Sequence, residues 1–458
     1  MRNIFSYSTN LLALARSLLA TTHGEPLSYR LARGSILAFA LHLAGIATAF
    51  GAELVLTRVL GSKTYGIYAY VLAWVNVLAI IATLGYQQGL LRFVGAYLAL
   101  KERTLAGAVI RHAVRRVTWA GVCIATFATV TVFAFTNQIQ TDLVHTFFVG
   151  FAIVPPLALL HVSSSVVRSF GGVYSALVPE MVIREAAVLL LVGGAAIVLP
   201  KGVTAPIAMG AMLAGSCMGM LLVRVSRYYR DALKSVTGPI EEHRSEWNRS
   251  SMMLLLLSGT QLALRQAEVI VLGWLVDTAT AGLYAVTLRV ANFVAFPLLA
   301  TNIVFLPAIA GLYARNERAG LQRQLANWVW WSTIGAMLIA LPLFLFPEPI
   351  LSLFGASFSA AASALRIVVV GQLVNGSIGS VGLLLIVTGH ERLATTIVAV
   401  FAPCSLVFLG VFIFAFGLEG AAIARATTII GLNIVYAIYV WRRLNIVPGL
   451  FLANKKTP

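Results

Sequence analysis

"GIYAYVLAWVN" occupies residues 66–76, and 216 residues further on the chain reads "GLYAVTLRVAN" over residues 282–292. Gly, Tyr, Ala, Leu and Asn recur at the same places in the two stretches. The likeness extends to both sides. Upstream, "AELVL" (52–56) matches "AEVIV" (267–271), and downstream "ALKER" (99–103) matches "ARNER" (314–318). Three blocks in one order at one spacing mark an internal duplication. A separation of about 215 residues divides the 458-residue chain into two halves, the pattern of a repeat-built transporter.

The solvent of this fold is lipid. Of the residues, 59% are hydrophobic and 11% charged, against about 25% charged in a soluble chain. Apolar runs near twenty residues recur from Gly34 to Trp441, each long enough to cross a bilayer. They resolve into twelve spans, which predicts an all-α polytopic membrane protein of two six-helix bundles, 34–225 and 251–440. A cytoplasmic linker (226–250) joins them, with an N-terminal segment (1–33) and a tail (441–458) outside. "FSYSTNLLALARSLLATTHGEP" (5–26) reads as an interfacial helix rather than a span. Six spans per repeat bring both halves in from the same side. Their axis then runs along the membrane normal, with a substrate path between them.

The net charge of +17 is distributed by side. Twenty-five of the 33 Lys and Arg residues fall in one set of loops and termini, while the opposite set holds Arg58, Lys63 and Lys201. This positive-inside bias predicts a multi-pass protein of the cytoplasmic (inner) membrane with both termini in the cytoplasm. It also accounts for the basic charge without nucleic acid as a partner. Cys123, Cys217 and Cys404 have no CxxC or Cys/His spacing, so no metal site or cofactor is expected. There is no DxD, HExxH or GxSxG, so no catalytic residues are assigned and an enzyme is not expected.

Five arginines remain inside the spans: Arg184, Arg265, Arg289, Arg366 and Arg425. Each costs about 2.5–3.5 kcal/mol near a helix centre, so none should face lipid. In "GTQLALRQAEVIVLGWL" (259–275), Gln261, Arg265 and Glu268 lie on one helical face. Either Arg265 and Glu268 neutralise each other, or the stripe faces a polar cavity; the three groups over two turns favour the cavity. Arg289 has no acid within a turn and shares its span with Asn292, whose repeat mate is Asn76. Arg425 has no near carboxylate, and Arg366 either faces the cavity or snorkels to the outer interface. These residues form the candidate substrate site. Arg184 is expected to be structural, with Glu180 four residues earlier in salt-bridge position and Glu185 adjacent. Glu53 is the repeat mate of Glu268 and shares a face with His42. Glu53 and His42 are coupling candidates, with a Glu53–Thr57 structural pair as the alternative; His161 is a weaker coupling candidate.

The chain resembles the multidrug/oligosaccharidyl-lipid/polysaccharide exporter superfamily, and within it the polysaccharide transporter branch. The residues carrying the resemblance are "LVLTRVLGSKTYGIYAYVLAW" (54–74), "LGYQQGLLRFVGAYLA" (84–99), "RSFGGVYSALVPEMVIRE" (168–185), "LFGASFSAAASALRIVVVG" (353–371), "VTGHER" (387–392) and "FGLEGAAIARA" (416–426). The resemblance implies a V-shaped pair of bundles, alternating access, and a flippase for O-antigen or exopolysaccharide repeat units. Its substrate would be an oligosaccharide on undecaprenyl diphosphate. Membrane lipids, a polysaccharide polymerase and export proteins would be its further partners. Two rivals stand beside it: a cation-coupled multidrug antiporter of the same superfamily, and a membrane glycosyltransferase or polymerase.

Overall fold

The computed structural model describes residues 27–444 apart from 139, 200–201, 235–242 and 316. Side chains are left out at 27–39, 257–258, 260–263, 303–304, 307, 314 and 318–319. The N-terminal interfacial helix, the tail beyond 444, part of the linker and the Gln261 side chain therefore lie outside the described residues.

Every long element is an α-helix. Residues 27–60 form α1 and residues 62–99 form α2, with the chain reversing at Gly61. There φ is +70°, a conformation that glycine adopts without a Cβ clash. The first bundle continues with α3 (Arg103–Ala134), α4 (Thr141–Ser169), α5 (Val173–Val198) and α6 (Ala205–Val225). The second runs through α7 (244–275), α8 (278–314), α9 (Arg318–Leu345), α10 (Ala356–Val387), α11 (391–416) and α12 (418–444). Gly417, at φ +55°, separates the last two.

Among the described residues, nine runs are long and apolar enough to cross a membrane. Two of them, Ala40–Ala99 and Glu391–Arg443, are far longer than the roughly 20 residues that one crossing needs, and each holds two. With α7 the crossings number twelve, six in each bundle.

Burial follows the lipid-or-core alternative. Ser163, Ser164 and Ser165 of α4 are wholly buried, because small residues let helices approach closely. Trp119, Phe127 and Phe133 of α3 and Phe408 and Phe414 of α11 are exposed, as lipid-facing side chains are.

Two π-helical turns interrupt the spans, Val178–Ile183 in α5 and Leu255–Gly259 in α7. The wider turn moves every following side chain around the helix.

The bundles meet at both ends, unequally. At the end with few basic residues, Gly66 of α2 crosses Gly282 of α8. A Cβ on Gly66 would sit 2.2 Å from the Thr278 carbonyl oxygen, and one on Gly282 would sit 2.6 Å from the Gly66 Cα. Aromatic rings seal this end: Phe50 lies 5.4 Å from both Phe293 and Phe354, and Tyr65 lies 5.8 Å from Phe358. Arg58 Nε donates to the Leu353 carbonyl at 2.7 Å.

At the basic end, among the described residues, α7 is held against the first bundle. It starts at Arg244, inside the stretch read as linker. The reason is Trp247, which is fully buried against the first bundle and donates from Nε1 to the Tyr97 hydroxyl at 2.9 Å. Asn248 Oδ1 accepts from the Tyr86 hydroxyl at 2.6 Å and lies 3.0 Å from His112 Nε2. On α1, His42 and Leu43 are exposed.

Candidate functional site

Two carboxylates stand at repeat-equivalent positions, and both are buried. Glu53 is 4% exposed and Glu268 is 9% exposed. A bare carboxylate at that depth would be strongly disfavoured, so each has acquired a tyrosine and an arginine.

Glu53, on α1, accepts a hydrogen bond from the Tyr65 hydroxyl on α2 through Oε1. Arg289, on α8 of the other bundle, reaches Oε2 at 3.0 Å. Thr57, the alternative partner, donates to the Glu53 backbone carbonyl at 2.9 Å and not to the carboxylate.

Glu268, on α7, accepts from the Tyr284 hydroxyl of α8 at 2.9 Å. Arg425 Nη1, on α12, lies 2.9 and 3.1 Å from its two oxygens. This ion pair stays within the second bundle.

Arg265, Arg184 and Arg366 each have more than one reading from sequence, and the contacts of each separate these readings. Arg265 does not neutralise Glu268, because Glu268 turns inward to α8 and α12. Arg265 is itself exposed, and no carboxylate among the described residues pairs with it. Arg184 does not pair with Glu180. The π turn removes the four-residue alignment, so Arg184 Nη2 meets Glu185 at 2.7 Å while Glu180 meets His161 Nδ1 at 2.9 Å. Arg366 lies at the sealed end, donating to the Phe344 carbonyl at 3.1 Å with Glu348 at 3.8 Å. It thus serves a helix end.

The remaining candidates are dispersed around the interior. Asn292 accepts from Gln372 Nε2 at 3.2 Å, Asn76 is partly exposed, and His42 is exposed. Tyr65 and Tyr284 were missed as site residues. Tyr284 carried a signal as part of the repeated "GLYAV" block, whereas Tyr65 stands just before "GIYAY" and outside the repeated positions.

Depth follows from helix rise. Arg265 is ten residues from the end of α7 at Leu275, and Arg289 eleven from the start of α8 at Thr278. At 1.5 Å per residue both lie about 15 Å below the sealed end, near the midplane of a hydrocarbon core about 30 Å thick. The cost of charge in hydrocarbon turns their exposed surface toward the interior between the bundles. An apolar groove of about 290 Å³, lined by Phe50, Val290, Phe293, Ile339, Pro342, Leu343 and Ile350, runs between α1, α8 and α9 beside Arg289.

Among the described residues, then, the midplane offers neutralised acids and a cation, Arg265, without a carboxylate partner. It can hold an anion, and it offers a cation little.

Comparison with known proteins follows the same direction. The family of polysaccharide biosynthesis proteins matches residues 31–313, well over half of the chain. Comparison with curated protein sequences found no match.

Among solved structures, the fold is similar to the inward-facing conformation of a multidrug resistance MATE family transporter of the MOP superfamily. That similarity has TM-score 0.71 and 14% identity, covering 90% of this chain and 96% of that one. The outward-facing conformation of such a transporter gives TM-score 0.62 at 14% identity, with coverage of 90% and 95%. The lipid II flippase MurJ in an inward closed conformation gives TM-score 0.63 at 14% identity, with 87% of each chain covered. At these identities the likeness is one of fold. The family match over 31–313, more than half of the chain, makes this chain a member of the polysaccharide biosynthesis protein family, and its fold is that of the solved transporters it resembles.

Proposed function

We propose that the protein is a flippase. It moves an oligosaccharide repeat unit, linked to undecaprenyl diphosphate, across the cytoplasmic membrane for surface polysaccharide assembly. The two bundles give alternating access, with the basic loops and both termini in the cytoplasm. The observation that carries this reading is the charge inventory at the midplane. Glu53 and Glu268 are buried and occupied, whereas Arg265 is exposed without a carboxylate partner.

A diphosphate does not cross hydrocarbon unaided. A guanidinium stays charged and presents a planar fork of donors to phosphate oxygens. Asn76, Asn292 and Gln261 are amides suited to sugar hydroxyls. The lipid tail need not enter; it can trail out beside the basic half of α1, where His42 and Leu43 are uncovered. A cationic drug would need an open carboxylate, and both acids are already engaged. This favours the flippase over the antiporter, as does the polysaccharide family match. A polymerase and export proteins would take over the substrate on the far side.

Arg265→Ala and Arg265→Lys, expressed in a deletion strain, test the reading. Loss of the guanidinium should reduce surface polysaccharide more than tenfold, with lipid-linked repeat units accumulating on the cytoplasmic side and protein abundance unchanged. Lysine keeps the charge and should retain partial export. Wild-type export from Arg265→Ala, or gradient-driven dye efflux from reconstituted vesicles, would sink it.

A further inference from the structure

The Glu53–Arg289 pair does something its repeat mate does not: it ties one bundle to the other. Glu53 belongs to α1 and Arg289 to α8, and their contact is 3.0 Å long. It lies within the sealed region, about one helical turn nearer the sealed end than the Phe50–Phe293 ring pair. Tyr65, which holds the other oxygen of Glu53, is itself a seal residue packed on Phe358. To open the sealed face, α1 and α2 must leave α8 and the 346–361 segment. That movement separates Glu53 from Arg289.

The two partners are unequally covered. The Glu53 side chain is 6% exposed, and that of Arg289 is 37% exposed. Arg289 therefore keeps surface that an anion can engage while the existing pair is still made. Glu185, paired with Arg184 at 2.7 Å, also lies close enough to act on Arg289 electrostatically. Glu53 is the one carboxylate among the described residues that contacts Arg289.

We propose that Glu53–Arg289 is a lock on the sealed face, and that a lipid-linked diphosphate releases it by competing for Arg289. The released carboxylate then has only Tyr65 in a buried site. Opening the sealed face to water is the relaxation available to it. In this scheme the carrier stays closed on the far side until cargo has bound. The lock follows from the geometry alone; the trigger rests on the flippase reading above.

The test uses full-length protein in lipid nanodiscs. Cys123, Cys217 and Cys404 are replaced by serine, and spin labels are attached at Lys63→Cys and Ser352→Cys, one on each bundle at the sealed face. Wild type should give one short distance. Glu53→Gln and Arg289→Gln should each raise the long-distance population at least tenfold. The charge swap Glu53→Arg with Arg289→Glu should restore the short distance, which also establishes that the variants fold. Arg366→Gln breaks an ion pair inside the second bundle at the same face and should leave the distance unchanged. Adding undecaprenyl diphosphate should lengthen the wild-type distance but add nothing further in Glu53→Gln.

A short distance in monodisperse Glu53→Gln overturns the lock, whatever the fate of the export assay on Arg265. A long distance in Glu53→Gln with no response of wild type to undecaprenyl diphosphate overturns the trigger.

Discussion

The two halves of this protein keep the same acid and solve its burial differently. In the second half, Glu268 draws its arginine from α12 of its own bundle. In the first half, Glu53 draws it from α8 of the other. The repeat alignment explains why. Arg289 falls opposite Ala73, so the first bundle has no equivalent charge to offer across the interface. A pair inside a bundle is part of its fold. A pair between bundles is part of its motion. The contrast teaches that repeat-equivalent charges in one chain can belong to different energy scales.

The largest effect expected from this contrast concerns stability. Arg425 is 16% exposed in its side chain and Glu268 12%, so removing either strands a buried charge. Glu268→Ala or Arg425→Ala should cost about 3–5 kcal/mol and nearly abolish accumulation in the membrane. The paired change Glu268→Leu with Arg425→Met should recover it. Glu53→Ala should accumulate better than Glu268→Ala, because the more exposed Arg289 can be hydrated when left alone. Fluorescence-detected size exclusion after heating measures both. Equal loss in the two acid variants would erase the distinction between the halves.

A smaller effect tests the tyrosines. Tyr284 and Tyr68 are repeat mates, yet the bond to Glu53 comes from Tyr65, one turn earlier. Tyr284→Phe and Tyr65→Phe should each cost about 1.5–3 kcal/mol, the range for a hydrogen bond to a charged group. Tyr68→Phe should shift the melting temperature less. A larger shift in Tyr68→Phe than in Tyr65→Phe would restore strict equivalence of the repeats.

The smallest effect is expected at Arg366. Its carboxylate partner is 3.8 Å away and 63% exposed, and such pairs contribute at most about 1 kcal/mol. Arg366→Ala should export polysaccharide at the wild-type level. A loss of export would return Arg366 to the substrate path.

The fold was legible because lipid imposes long apolar runs, and because the duplication left glycine and aromatic marks at one spacing. Glu53 and Glu268 were legible for the same reason, as members of a repeated block. Their partners were not. Reading along one helix joins residues three or four apart, and that logic offers Glu268 only Arg265 as a partner and offers Arg184 both Glu180 and Glu185. The partners found lie 157 residues away for Glu268, and on the other bundle for Glu53. No local periodicity encodes such distances. The π turn of α5 is similarly silent, since nothing in "VPEMVI" distinguishes a wide turn from an ordinary one.

The crossing of Gly66 and Gly282 carries one more consequence. These glycines are repeat mates, so the closest approach of the bundles is a residue meeting its own counterpart. That is the geometry of a two-fold homodimer at its axis. A six-helix ancestor would have built this contact with two identical chains. In such a dimer, an arginine opposite Glu53 would have had to appear on both subunits. Fusion removed that obligation: once the two copies shared a single chain, position 289 was free to become arginine while position 73 remained alanine. The covalent link let one half hold the other without the reverse being true, an inequality that a symmetric pair of subunits cannot have.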